Sequence, residues 1–364
     1  MRELKVGVLG AAGTIAPAIL GDLAASGEVG SVLALDLDAA RVEAAAAAHG
    51  GAKTAARAAD ARTDLAAALG GLDVLINTAS YRVNLDAMEA CLAAGCDYID
   101  LGGLYWVTKR QLELSDRFER AGRLAVLGVG SSPGKTNLMA ARAMRELGSV
   151  DAIDVIAGGR DFNQPAGFSP PYAVQTLLDE VTLKPIVLRD GEPVEIEPLT
   201  GGGEVDFGEP IGRAETIYTL HSELVSFGAS FGCRECSFRL SLARPIEERL
   251  RELVGASAEE VAVVQAQAAP PSEETVSVHL VEARDDARRV RVRSITRPHR
   301  PFALGGSIVS TAAPAVAAVR LLARGEIDAI GVRFPEECID PEAMFAELAT
   351  RSCEITVDVE ELAA

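Results

Sequence analysis

The chain has 364 residues, 48% of them hydrophobic, with a net charge of −18 and a pI of about 4.8. That length and apolar content suffice for two domains with sizeable cores. The acidic balance excludes sequence-independent nucleic-acid binding and a polybasic membrane anchor, no apolar run reads as a membrane span, and no signal peptide is visible. A soluble cytoplasmic protein is therefore expected.

The chain opens with an apolar run at residues 5–9, read as a strand. The glycine turn Gly10-Ala11-Ala12-Gly13-Thr14-Ile15 follows, then a helical run ending near Ala25. A second strand at 31–35 closes on Asp36. Strand, tight turn, helix, strand and acid is the order of a dinucleotide-binding βαβ unit. Gly10 lets the chain leave the strand sharply, and Ala12 stands where the middle glycine of G-x-G-x-x-G is usual. Gly13 allows a pyrophosphate to approach the helix N-terminus. Asp36 can accept both ribose hydroxyls of adenosine and would repel a 2′-phosphate. Leu37 follows it where NADP enzymes often place a cation; Arg41, one helical turn on, weakens that argument only slightly, and NAD is expected ahead of NADP.

Alternation continues. The pattern predicts helices at 41–49, 61–69, 84–94 and 111–121, and strands at 73–77, 98–101 and 124–127. The fold class expected is α/β, a Rossmann-type doubly wound parallel sheet. Ligands bind at the carboxyl ends of such strands, where Asn77-Thr78-Ala79-Ser80 and Asp100-Leu101-Gly102 lie. Both runs are candidate cofactor contacts, and Asp100 is a candidate for chemistry too.

A second turn at 128–134 marks the passage to another kind of pattern. Residues 150–156 alternate as a half-exposed strand, 164–171 form a proline-rich loop, and 172–180 read as a helix. Runs at 185–188, 194–197 and 237–242 are strand-like, and 273–282 with 289–296 make a charged-faced hairpin. This middle region is an α+β domain with a mixed sheet, for substrate binding or dimerisation. An apolar helix is expected at 311–323. The domains expected are 1–130 for the dinucleotide, 131–310 for substrate and dimer contact, and 311–364 returning to the first.

The lone C-x-x-C at Cys233 and Cys236 lacks the second pair that a structural zinc requires. Reduced structural cysteines and no metal are expected. Of the four histidines, His221 alone lies in a run with a serine and a carboxylate between apolar segments, Thr219-Leu220-His221-Ser222-Glu223. In a strand, Thr219, His221 and Glu223 would share one face, placing a base beside a carboxylate. Histidine is the side chain that titrates near neutrality unperturbed. His221 is thus the candidate general acid/base, with Glu223 orienting it or stabilising a cationic intermediate. For a substrate carboxylate, Arg160, Arg239 and Arg244 are candidate cations, Arg239 foremost because its run is otherwise apolar.

The order Gly10-Ala-Ala-Gly13, Asn77-Thr78-Ala79, Tyr98-Ile-Asp-Leu-Gly-Gly103, Gly128-Val-Gly-Ser-Ser-Pro-Gly134, Phe168-Ser169-Pro170 before Tyr172, the Thr219–Glu223 run and Gly331-Val-Arg-Phe-Pro-Glu-Glu337 resembles the saccharopine dehydrogenase-like family. The branch it resembles holds lysine 6-dehydrogenase and carboxynorspermidine synthase. The resemblance implies a homodimeric NAD(P)-dependent oxidoreductase acting at a C–N bond, with substrate over the nicotinamide between the domains. It also marks Phe168, Ser169 and Tyr172 as a substrate loop. Lysine 6-oxidation is the leading reaction. Reductive condensation to a secondary amine, as in carboxynorspermidine or saccharopine synthesis, is the rival, and a non-catalytic NAD-binding sensor is the rival of another class.

Overall fold

The computed structural model describes residues 3–362. The chain begins with β1 (Leu4–Leu9), α1 (Ala16–Ala25), β2 (Val29–Asp36), α2 (Ala39–His49), β3 (Thr54–Ala58), α3 (Leu65–Ala68), β4 (Val74–Asn77) and α4 (Asn84–Ala94). It continues through β5 (Asp97–Asp100), α5 (Leu104–Leu112), α6 (Ser115–Ala121), β6 (Leu124–Val126) and α7 (Lys135–Leu147). Next come β7 (Ala152–Asp161), α8 (Val174–Thr182), β8 (Ile186–Arg189), β9 (Glu192–Glu195), β10 (Gly201–Asp206), β11 (Arg213–Tyr218), α9 (Glu223–Phe231) and β12 (Glu235–Leu240). Then follow α10 (Arg244–Glu252), α11 (Ala258–Gln267), β13 (Thr275–Arg284), β14 (Arg288–Thr296) and α12 (Gly306–Arg324). The last elements are β15 (Gly331–Arg333), α13 (Pro335–Cys338), α14 (Pro341–Ala349) and β16 (Cys353–Glu361).

Two compact units result. The first holds residues 1–138 and 311–348, the second 139–310 and 349–364, so the chain passes between them three times. In the first, seven strands run in the order β15-β6-β5-β4-β1-β2-β3, each paired parallel with its neighbours. Strands of a parallel sheet covered on both faces read as continuous apolar runs, and Val6, Val8, Leu75, Ile76, Ile99 and Val126 are fully buried. The sheet's helical cover includes α12, whose Arg320 is buried and pairs with Asp22 of α1, with Glu347 3.4 Å away.

The second unit is a nine-stranded mixed sheet, with the path β10-β11-β12-β7-β13-β14-β16 and the β8–β9 hairpin paired onto β12. The β13–β14 hairpin pairs antiparallel from Ser277–Thr296 to Arg284–Arg289. Its core centres on Ile156, Phe207, Val278, Leu280 and Ile295.

Several expectations need correction. The segment 349–364 does not return to the first unit, because β16 pairs along its full length with β14. The helix expected at 111–121 is two helices, jointed where Glu113 and Leu114 donate to carbonyls three residues back, at Arg110 and Gln111. The one expected at 61–69 is a single turn, α3, because the Asp60 carbonyl gathers the amides of Thr63, Asp64 and Leu65 into a turn. Among the described residues one helix, α12, is long and apolar enough to cross a membrane, but 83% of its apolar stretch is buried inside the fold.

Candidate active site

The glycine turn of the first unit has the shape a pyrophosphate needs. Gly10 lies at φ +79°, and a Cβ there would come within 2.6 Å of Ala79 N. Only glycine lets β1 turn this tightly against the end of β4. The Thr78 hydroxyl donates to the carbonyls of Leu9 (2.8 Å) and Gly10 (3.1 Å), tying the two strand ends together. Gly13 N closes the turn on Gly10 O at 2.9 Å, Gly13 and Thr14 are exposed, and Ile15 precedes α1, which no side chain caps. That combination leaves an uncapped positive helix end beside exposed backbone.

Asp36 ends β2 and accepts Ala12 N at 3.0 Å, so the acid and the turn are locked to each other. Leu37 after it is 71% exposed. Arg41 reaches back from α2 to donate to Ala12 O at 3.0 Å. An acid for the ribose and a guanidinium thus share one turn. These residues fit the adenosine diphosphate portion of a dinucleotide.

The remaining strand-end candidates divide. Ala79 and Ser80 stay accessible, and Leu101 is half-buried. Asn77 is buried and turned inward, donating to Asn84 Oδ1 (2.9 Å) and Tyr98 Oη (3.2 Å) and accepting Ala79 N. It shapes the turn and offers no polar side-chain atom to a ligand.

Asp100 requires the same correction. It is 1% exposed, and its carboxylate is consumed internally. Oδ1 accepts Gly102 N (3.0 Å) and Gly128 N (2.7 Å), while Oδ2 accepts Gln111 Nε2 (2.6 Å), Tyr98 Oη (3.1 Å) and Asn84 Nδ2 (3.2 Å). Burial raises the carboxyl above its ordinary value, against the pull of Gln111 and the two backbone amides. Asp100 is a tie between two loops, at Gly102 and Gly128, rather than a group that meets a reactant.

The second unit gathers its titratable groups around His221. The run expected to be a strand is a strand-to-helix junction: β11 ends at Tyr218, Ser222 is the N-cap residue of α9, and Glu223 is that helix's first residue. The helix turn still brings the side chains together, with His221 Nδ1 at 2.6 Å from Glu223 Oε2. A carboxylate at a helix N-terminus is also favoured by the dipole. The imidazole stacks on Phe238 of β12, with centroids 3.6 Å apart and planes 9° from parallel. With Nδ1 engaged and the ring clamped, Nε2 is the working nitrogen.

Facing Nε2 at 4.0 Å is Glu180 Oε1, from α8. Tyr172 donates its hydroxyl to the other oxygen of Glu180. His221 and Glu180 are 7% and 6% exposed. Burial alone would push His221 down, but the Glu223 carboxylate, with help from Glu180, more than offsets it and the imidazole titrates above its usual value. Burial pushes Glu180 up to about 7, with His221 and Tyr172 pulling the other way. Two carboxylates against one imidazole leave an excess of negative charge, the environment that retains protons and attracts a cation.

Of the substrate-loop residues, Tyr172 joins this cluster. Phe168 is half-buried, its carbonyl accepting Ala269 N at 2.9 Å. The Ser169 and Thr219 hydroxyls are buried without a hydrogen-bond partner. Thr219 N bonds Phe238 O, beside the ring that carries His221. Arg239 is not on the His221 side. It follows Phe238 in β12, strand alternation turns it to the other face, and it donates to Gly202 O at 2.9 Å, its Nε buried and unpaired. Arg160 is exposed over the Phe162 ring, and Arg244 is exposed and paired with Glu248. Neither stands in the cluster.

Residues 6–126 match the family model described as the saccharopine dehydrogenase NADP binding domain. That match covers about a third of the chain and lies within the first unit, so it is the dinucleotide-binding part that is similar to this family. The chain is 32% identical over 166 residues to carboxyaminopropylagmatine dehydrogenase of Synechocystis sp., covering 43% of this chain and 40% of that protein. It is 28% identical over 168 residues to carboxynorspermidine synthase of Vibrio cholerae, covering 42% and 39%. The matches thus span about two-fifths of the length of these relatives. The fold of the whole chain is that of apo saccharopine dehydrogenase (L-Glu forming) from Saccharomyces cerevisiae, at a TM-score of 0.71 and 15% identity over 99% of this chain and 100% of that one.

The sequence reading did not single out Glu180. A signal was present: α8 buries Val174, Leu177, Leu178 and Val181, and Glu180 lies among them as a charged residue on a buried face. A carboxylate there needs partners, and nearby Tyr172 supplies one.

Proposed function

We propose that this chain is an NAD(P)-dependent oxidoreductase acting at the C–N bond of an amine or amino acid. The observation that carries the reading is the His221–Glu223 pair with Glu180 facing it, in a chain whose first unit is a saccharopine dehydrogenase-type dinucleotide domain. Gly10, Ala12, Gly13, Thr14, Ile15 and Asp36 would hold the adenosine diphosphate portion. The dinucleotide, when bound, supplies the hydride acceptor or donor.

The chain's own residues manage the proton. Amine oxidation starts from the neutral amine, so a base must take a proton from the ammonium nitrogen. His221 Nε2 does this, with Nδ1 held by Glu223 and the ring fixed by Phe238. The two carboxylates also stabilise the positive charge that develops on nitrogen as the C–H bond breaks. In the reverse direction His221 returns the proton. Replacing His221 by Asn lowers kcat by about 10²–10⁴-fold, the usual contribution of such a base.

Lysine 6-oxidation is the first reaction to assay. Reductive condensation of an amine with a carbonyl compound is the second reading, favoured by the synthase and dehydrogenase names of the matched relatives. NADH formation with lysine, against NADH consumption with aldehyde plus amine, separates them. Dinucleotide binding with no amine-dependent change at 340 nm would replace both with a sensor. The reading includes a homodimer in the cytoplasm with small-molecule substrates and no nucleic acid or membrane partner. NAD is preferred because Asp36 would repel a 2′-phosphate. The family model's description as NADP binding, and Arg41 at the same turn, favour the alternative.

A further inference from the structure

We propose that Glu180 is the proton store of this site: it receives the proton that His221 Nε2 takes up, and Tyr172 holds it in position to do so. This deepens the oxidoreductase reading and rests on it for its catalytic part. The argument begins with geometry. His221 has one nitrogen fixed on Glu223, so a proton collected at Nε2 has one nearby titratable acceptor, Glu180 Oε1 at 4.0 Å. That gap exceeds a hydrogen bond, and one carboxylate rotation or one bridging water closes it. Tyr172 donates to the far oxygen of Glu180, leaving Oε1 as the free end.

The groups that face the pair come from three elements and one loop: Asp179 on α8, Tyr172 in the loop ahead of it, Glu223 on α9, and Cys236 beside Glu223 from β12. The charges near His221 are therefore carboxylates, and the Cys236 thiol, pushed well up by burial, stays neutral. The titration of Glu180 near 7 makes its proton exchangeable where the imidazole also works. In the step itself the amine N–H⁺ bond breaks as the Nε2–H bond forms. Next, Nε2–H breaks as Oε1–H forms on Glu180. No electrons are transferred, and His221 is neutral again, ready for the proton released when water adds to the iminium. An oxidative deamination releases two protons before the nitrogen departs and returns one of them to it as the carbinolamine breaks down, and a lone imidazole has room for one.

The test is an NMR titration of the imidazole nitrogens in the ligand-free protein, His221 being assigned by difference with His221→Asn. Wild-type protein should give a His221 curve with two inflections, one near the value of Glu180. Glu180→Gln should lose the inflection near 7 and shift the remaining one to lower pH. Tyr172→Phe, which removes a hydrogen bond favouring the carboxylate, should move the Glu180 inflection upward. The other three histidines serve as the folding control. A His221 curve in Glu180→Gln superimposable on wild type would overturn the proposal, as would an unmoved Glu180 inflection in Tyr172→Phe. In turnover, Glu180→Gln should reshape the pH profile of kcat while KM for the dinucleotide stays within about twofold. An unaltered profile at full rate would also overturn it. No amine-dependent NADH formation in wild type, with the NMR coupling intact, would instead remove the oxidoreductase reading.

Discussion

Asp100→Asn separates a structural carboxylate from a chemical one. In the folded protein five donors converge on Asp100: two backbone amides on Oδ1, and Gln111, Tyr98 and Asn84 on Oδ2. The amide of Asn offers one oxygen and two N–H groups. Its best orientation keeps the oxygen on Gly102 N and Gly128 N, which directs the NH₂ at three donors. Tyr98 can rotate its hydroxyl and Gln111 can flip its amide, so one to two bonds are lost outright. Hydrogen bonds to a charged group contribute about 1.5–3 kcal/mol each, giving a net loss of about 2–4 kcal/mol. For a unit of this size, each kcal/mol lowers Tm by about 2–4 °C, so scanning calorimetry should show a drop of roughly 5–15 °C. Residual turnover per folded molecule should stay within about tenfold of wild type, since Asp100 touches no reactant. A variant with unchanged Tm and abolished turnover would refute the reasoning and return Asp100 to the chemistry.

Gly10→Ala places a methyl group within 2.6 Å of Ala79 N at φ +79°. The left-handed backbone costs about 1–2 kcal/mol for a residue with a Cβ. Calorimetric titration should therefore give a dinucleotide Kd at least about tenfold weaker, and equal affinity would discount the turn. Arg41→Ala should weaken NADP binding more than NAD binding, and an equal loss would remove Arg41 from cofactor discrimination. Asp22→Ala leaves Arg320 buried without its closest partner, which costs about 3 kcal/mol, read from the urea midpoint.

Both His221 and Glu180 titrate above their ordinary values in the folded protein, so folding retains their protons. Their stabilising contribution is full below the unfolded values of 4.5 and 6.5, and fades as pH rises through the folded ones, about 7 for Glu180. The Tm of wild type relative to Glu180→Gln should therefore fall between about pH 5 and about pH 8, and a relative rise would contradict the assignment.

The parallel sheet was readable because its strands are unbroken apolar runs punctuated by glycine. Strand β3 escaped notice since Thr54-Ala55-Ala56-Arg57-Ala58 holds one β-branched residue and lies at a sheet edge, where burial asks for little. His221 and Glu223 were legible because they are two residues apart. Glu180 was not, being 41 positions upstream of His221 and joined to it by the fold alone. Arg239 was misjudged by weighing the apolarity of its run without the period-two alternation that turns it away from Phe238.

The three passages of the chain between its units bear on how this protein can be dissected. No single scission yields a complete half. A fragment ending at residue 310 would lack both β15 and β16, leaving β6 and β14 as bare edges open to self-association. Exchange of one half with a relative would need three splice points, all inside helices: α7, α12 and the end of α14. Inheritance as an indivisible whole is the consequence of that threading.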